Sequence, residues 1–313
     1  MIIDGHCDTL SVALDENKSI NNSEFSFNIQ HAQNLKEPII QIMAAFISPE
    51  KYVVKNTDIA WKRANNIIKN FYNKNINITQ ILNSKDIEKV ERNKGIGVML
   101  SIENGSAICG DLRKIDELYI KGIRMMSITW DNDNELGCGA STTNDIGLTE
   151  LGKKYIKKLN SKKIIIDVSH SSEKSFYEVI KNSSLPVVAS HSCVKELCNH
   201  KRNLNVDQIK QIANLKGIIG ICFYNEFLKN NKNIISSEDI VDHICYISNT
   251  VGVEYVGLGS DFDGVEKQDL PQNVKGIKDM YNIEIALERR GFTNKERKMI
   301  MGENWKRVIN SII

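Results

Sequence analysis

Apolar residues in this chain fall into short, nearly continuous runs, separated by longer stretches in which they recur every three or four positions. Eight runs read as strands: 1–4, 39–47, 97–102, 123–130, 163–169, 186–190, 217–224 and 255–260. Strands that are apolar on both faces belong in a parallel sheet covered by helices, whereas a strand with one wet face alternates. Between them lie amphipathic segments at 148–160, 172–181, 206–215, 237–249, 274–290 and 293–312. In the first, Leu148, Leu151, Tyr155, Ile156 and Leu159 share a face, with Thr149 placed to cap the start; Thr293 is placed to cap the last. Strand alternating with helix is the signature of βαβ units. Eight such units predict closure into a (β/α)8 TIM barrel with a C-terminal helical extension, and one domain over residues 1–313. An open doubly wound sheet is the competing architecture, but no GxGxxG or GxxxxGK[ST] loop supplies the usual nucleotide site of such a sheet. The polar stretch 15–27 reads as a loop after the first strand.

The strand ends carry the chemistry. They read Asp4-Gly5-His6-Cys7-Asp8, Glu103-Asn104-Gly105, Asp167-Val168-Ser169-His170, Ala189-Ser190-His191-Ser192 and Ser260-Asp261-Phe262-Asp263-Gly264. A barrel brings these ends to one rim, where such folds place their active sites. Three of the 6 histidines therefore converge with several carboxylates. His6 and Asp8 are two apart and, in an extended strand end, point the same way, as two ligands of one metal would. His170 and His191, from neighbouring strands, suit a second ion, and Glu103 has two oxygens with which to bridge both. Imidazole nitrogens and carboxylate oxygens are zinc ligands, and two such ions polarise a carbonyl and activate water together. Asp4, Asp167 and Asp263 are expected to satisfy backbone groups in strand-end turns. His31, His200 and His243 lack a partner pattern.

Composition narrows the alternatives. In 313 residues, 41 basic and 39 acidic side chains leave a net charge of +2. That balance gives no footprint for nucleic acid or an anionic membrane. The 7 cysteines are scattered, without a CxxC pair, as expected of reduced thiols. The N-terminus runs straight into a strand pattern, and no stretch approaches the roughly 18 apolar residues of a membrane span. A soluble cytoplasmic protein is the expectation.

Taken in order along the chain, the strand-end motifs resemble those of the membrane (renal) dipeptidases, zinc-dependent members of the metal-dependent hydrolase superfamily. Gly147-Leu148-Thr149-Glu150-Leu151-Gly152, Arg202-Asn203 and Gly302-Glu303-Asn304 extend the likeness over essentially the whole chain. The resemblance implies a two-zinc enzyme (other divalent ions fit the same donors) that cleaves dipeptides bearing a free C-terminal carboxylate through a metal-bridging hydroxide. It places His6 and Asp8 on one zinc, His170 and His191 on the other, and Glu103 between them. It puts Arg202 on the substrate carboxylate, which a guanidinium fork suits, and makes Asp261 the acid/base that also contacts substrate. A homodimer is compatible with it. One departure stands out. Trp130 occupies a position after the fourth strand where the family often has a substrate-contacting histidine, so here an indole ring walls the substrate pocket and offers only an N–H. That change motivates an alternative substrate, an N-acyl amino acid, lactam or cyclic amide. An inactive barrel serving as a binding protein is the alternative of another class, and the intact ligand set argues against it.

Overall fold

The computed structural model describes residues 1–21, 23–52, 57–73, 78–230 and 234–313; position 22, inside the expected 15–27 loop, lies outside them. Eight parallel strands close on themselves: β1 (Ile2–Cys7), β2 (Ile39–Phe46), β3 (Ile96–Glu103), β4 (Ile123–Ser127), β5 (Ile165–Asp167), β6 (Val187–Ser192), β7 (Ile218–Ile221) and β8 (Val256–Leu258). Each pairs with its chain neighbours, and β1 meets β8 at Asp4 opposite Leu258, which completes the barrel. A two-residue strand, Thr79–Gln80, adds to the lower half of β3.

Alternate residues build two apolar regions. Ile3, Ile40, Ile42, Met99, Met125, Ile165, Val188 and Ile218 cluster with Trp305, Val308, Ile309 and Ile312 of the C-terminal helix Asn304–Ile312. The intervening residues, such as Ile39, Val98, Met126, Ile166 and Ile219, join the larger cluster that faces the surrounding helices. The chain terminus thus plugs the barrel, with the Trp305 indole N–H donating to the Leu258 carbonyl at 2.8 Å. That plug dictates Gly5: a Cβ there would lie 2.3 Å from the Trp305 ring and 2.7 Å from the Ser190 carbonyl oxygen, so only glycine passes beside the ring on the way to His6.

The helices follow their caps. Thr149 accepts from the Gly152 amide and opens Glu150–Ser161; Ser172 accepts from Ser175 and opens Glu173–Asn182. Thr293 and Glu296 form a reciprocal capping box. One expectation needs correction. The helix expected over 274–290 is only Tyr281–Arg289, because the preceding segment is held elsewhere: Lys275 N–H donates to Asp279 and Ile277 N–H to the Ser26 carbonyl. The 293–312 segment, expected as a closing helix or helix pair, is the pair. Asn294–Lys298 widens into a π turn over Met299–Glu303 before the final helix, and Gly302 there packs against the backbone of Met1 and Ile3.

Candidate metal centre

The strand ends meet at one rim, and the side chains gathered there are buried. His6, Asp8, Glu103, His170, His191 and Arg202 all expose less than a tenth of their surface. Their ligand atoms form three overlapping groups: His6, Asp8 and Glu103; Glu103, His170 and His191; and His6, His191 and Asp261.

Glu103 sits between the first two. Its Oε2 is 3.6 Å from His6 Nε2, while its Oε1 is 2.9 Å from His170 Nε2 and 3.7 Å from His191 Nε2. His6 Nε2 is also 3.4 Å from Asp8 and 3.8 Å from Asp261. The route to the His6–Asp8 pair differs from a simple alternating strand end. The β1–β2 register shifts between Asp4 and Cys7, and Asp8 is the residue that caps the helix Thr9–Asp15 rather than a strand position. The bulge and the turn into that helix together swing both side chains to the same spot.

Around this centre each carboxylate or hydroxyl orients something. Asp4 accepts from the Ser260 amide, the Ser260 hydroxyl and Gln41, which ties β1 to the end of β8. Asp167 accepts from the amides of Ser169 and Ser190 and from the Ser190 hydroxyl at 2.5 Å. With its proton given to Asp167, Ser190 Oγ accepts from His191 Nδ1 at 2.8 Å. Asp131, the residue after Trp130, accepts from His170 Nδ1 at 2.7 Å and lies 3.2 Å from Arg202 Nε. Asp263 takes the Thr9 hydroxyl and the Ser26 and Phe27 amides, stitching the post-β8 loop to the segment after the first helix. His243 bridges Val194 N–H and the Leu228 carbonyl within the fold, and His31 meets Asn28 at a helix cap, so both are structural. His200 differs: it lines the cavity above the centre.

Several rim residues have strained backbone. Asn104, His170, Asp261 and Asp263 are non-glycine residues with φ of 77°, 69°, 62° and 65°. Left-handed conformations of this kind cost roughly 1–3 kcal/mol each and persist where the surroundings impose them, typically at functional sites.

The electrostatics describe a nest of charges that need a cation. Burial alone depresses His6, but Glu103 and Asp8 outweigh it and hold the imidazole well above its ordinary value. Burial and the charge of Glu103 push Asp8 up to about 7. Burial likewise raises Asp261, against the pull of His6. His191 goes the other way, driven well down by burial and then by the charge of His6. At Asp131 the burial penalty is overcome by His170 and Arg202, so the carboxyl stays below its usual range.

The donor set fits divalent metal. His6 Nε2 and Asp8 Oδ1 are buried without a hydrogen-bond partner, a costly arrangement for polar atoms unless an ion lies against them. The facing histidines make a related point. Each Nδ1 faces an acceptor, Asp131 or the Ser190 hydroxyl oxygen, and the two Nε2 atoms stand 2.9 Å apart, with Glu103 Oε1 2.9 Å from that of His170. With both rings neutral and protonated at Nδ1, two lone pairs would face each other there, an arrangement that a cation relieves.

Comparison with known proteins decides the family. The model of the membrane dipeptidases, peptidase family M19, matches residues 1–312. The chain belongs to the membrane dipeptidase family. An uncharacterised protein encoded in the pqqA 5′ region of Klebsiella pneumoniae is 32% identical over 240 residues, covering 74% of this chain and 88% of that protein. An uncharacterised dipeptidase of Schizosaccharomyces pombe is 31% identical over 227 residues, covering 69% of this chain and 53% of its own length. Among solved structures, a metallopeptidase of Rhodobacter sphaeroides bound to a phosphinate mimic of the dipeptide L-Ala-D-Ala superposes with a TM-score of 0.89 at 20% identity, over 100% of this chain and 99% of that one. The likeness to that structure concerns the fold. Family membership makes this M19 member a metal-dependent hydrolase of dipeptides, with the ligand groups at the rim as its candidate metal site. No helix among the described residues is long and apolar enough to cross a membrane.

A cavity of about 620 Å³ opens above the centre, within the range of sites for small molecules. Asp8, Glu103, His170 and Asp261 line its floor, and Arg202, Lys201 and His200 line one side. Trp130 forms part of its wall, stacked against His170 at 5.7 Å and leaning on Phe46 at 5.5 Å. Asp131 is not among the residues that the sequence singles out, although it follows Trp130 at the level of the other strand ends.

Proposed function

We propose that this M19 member is a two-zinc dipeptidase that requires a free C-terminal carboxylate on its substrate. The observation that carries this reading is the juxtaposition of a buried guanidinium with a buried ligand cluster in one small cavity: Arg202 is 4% exposed and shares the cavity with Glu103, His170 and Asp261. A dipeptide carries its carboxylate one residue from its only peptide bond, so anchoring the former presents the latter to the centre.

In this reading His6 and Asp8 would hold one cation and His170 and His191 the other, with Glu103 shared between them. Zinc at such a pair would polarise the scissile carbonyl and make water nucleophilic near neutral pH. The remaining work belongs to the chain. Arg202 receives the carboxylate, where guanidinium forks bind better than point charges. Asp261, 3.8 Å from His6 and beside the ligand groups, accepts the proton of the attacking water and delivers it to the departing amine. Trp130 shields one side of the reacting bond from solvent and helps to fix the width of the pocket. Seven unpaired thiols support residence in a reducing compartment such as the cytoplasm.

Assay of the zinc-loaded protein against dipeptides, their C-terminal amides, N-acyl amino acids and cyclic amides tests the proposal. Dipeptides should turn over and the amides should not. Turnover of N-acyl or cyclic amides without any dipeptide cleavage would overturn it. For Arg202→Ala the expected change is in KM: a charge-assisted contact is worth roughly 1.5–3 kcal/mol, so KM for free dipeptides should rise by about 10- to 150-fold. An unchanged KM would remove Arg202 from the substrate.

A further inference from the structure

Asp131 stands where two subsites touch. Its Oδ1 accepts from His170 Nδ1 at 2.7 Å and lies 3.2 Å from Arg202 Nε. His170 and Arg202 otherwise serve different purposes, one at the centre and one at the cavity wall. Apart from His170 Nε2, which faces Glu103 and His191 at 2.9 Å each, the remaining polar contacts of the two are weak or come from the backbone. Arg202 Nη2 reaches the His191 carbonyl at 3.5 Å and its guanidinium faces the Phe227 ring at 5.5 Å. The His170 backbone carbonyl receives the Thr129 hydroxyl and the Ala140 amide. Neither set of contacts fixes which ring nitrogen of His170 carries the proton, or which edge of the guanidinium is free.

From this geometry we infer that Asp131 is a positioning residue shared by the metal centre and the carboxylate site, an inference that rests on the dipeptidase reading for its substrate half. By accepting from Nδ1 it holds His170 in the tautomer whose Nε2 lone pair is turned to Glu103 and His191. By drawing Arg202 Nε it leaves the two terminal nitrogens of the guanidinium for a substrate carboxylate. His191 gets its own orientation from the Ser190–Asp167 relay, so the two histidines are set by different partners. Only the Asp131 partner is also tied to the substrate side. An outer carboxylate on a ligating histidine is typically worth about 10- to 100-fold in metal affinity. One side chain therefore couples two properties that would otherwise vary independently: how tightly the second cation is held, and how well a carboxylate is received.

The test compares Asp131→Ala and Asp131→Asn with the unaltered protein and with Arg202→Ala. Metal affinity is read by titrating metal-free protein with Zn²⁺ in competition with a chromophoric chelator, with no substrate present. The carboxylate site is read as KM for a dipeptide at saturating zinc. Asp131→Ala should weaken zinc binding by about 10- to 100-fold at one site and also raise KM at saturating zinc. Asp131→Asn keeps an oxygen for the His170 N–H and should recover most of the zinc affinity, but without the charge that draws Arg202 it should keep a raised KM. Arg202→Ala should raise KM and leave zinc binding near the unaltered value. Unchanged zinc affinity in Asp131→Ala, or a KM that returns to the unaltered value once zinc saturates, would overturn the shared role. If the unaltered protein cleaves no dipeptide, the dipeptidase reading falls by itself. The zinc titration still decides whether Asp131 supports His170, since it uses no substrate.

Discussion

Replacing His170 and His191 together by alanine should leave the barrel folded and bring dipeptide hydrolysis down by at least about 10³-fold, because the lost ion carries much of the carbonyl polarisation and water activation. The two rings approach each other from adjacent strands, with their Nε2 atoms 2.9 Å apart and both within 3.7 Å of Glu103 Oε1. Removing both leaves that oxygen of Glu103 as the last member of its ligand group, too few donors to hold a divalent ion against water. His6, Asp8 and Glu103 Oε2 remain, so zinc per chain should fall from about two to about one in the manner of a two-metal site losing one partner. Elemental analysis after dialysis, with steady-state kinetics on the same sample, reads both quantities. A variant that retains its full zinc content and turnover would place the metals elsewhere.

Asp261→Asn should act on turnover alone. The substitution keeps the shape and one acceptor oxygen but removes the ability to take and return a proton, so kcat should fall by about 10²- to 10⁴-fold, the usual range for general acid–base groups. The environment suits that task. Asp261 is on the floor of the cavity, in contact range of His6, and burial raises its carboxyl above the ordinary value. It follows Ser260, which Asp4 anchors through two hydrogen bonds, and it is held at φ 62°, so the side chain is aimed by strained and well-braced backbone. Because Arg202 and the five other donors are untouched, KM and zinc content should stay within about threefold of the unaltered protein, the pattern of a group that acts in the transition state. A kcat that hardly changes would make Asp261 an auxiliary ligand instead, consistent with its grouping with His6 and His191.

Much of this was legible before any coordinates. Strands buried on both faces announce themselves as apolar runs, and eight of them separated by capped helices leave few architectures. Thr149 and Thr293 mark helix starts because a cap is a local matter of a side-chain oxygen and an amide three residues on. The histidines and acids of the centre could be picked out because a closed parallel barrel sends all strand ends to one rim. What stayed hidden depends on distant contacts. The bulge in β1 that turns His6 and Asp8 together arises where the strand register shifts, and no local pattern encodes it. The 274–280 segment gives up helix because the Ser26 carbonyl, far away in sequence, takes the Ile277 amide. The helix Ile59–Tyr72, in the crossover from β2 to β3, buries Ala60, Ala64, Ile67, Ile68 and Phe71 and is not among the segments expected from the sequence. The role of Asp131 is a relation among three residues from different strand ends and a loop, and only their distances reveal it.

Two cations would be gathered by side chains from four strand ends. Crystals of the zinc-loaded protein, measured above and below the zinc absorption edge, address that directly. Two anomalous peaks are predicted. One should lie about 2.0–2.2 Å from His6 and Asp8, the other at the same distance from His170 and His191, with one oxygen of Glu103 on each. A single peak, or peaks away from these residues, would contradict it.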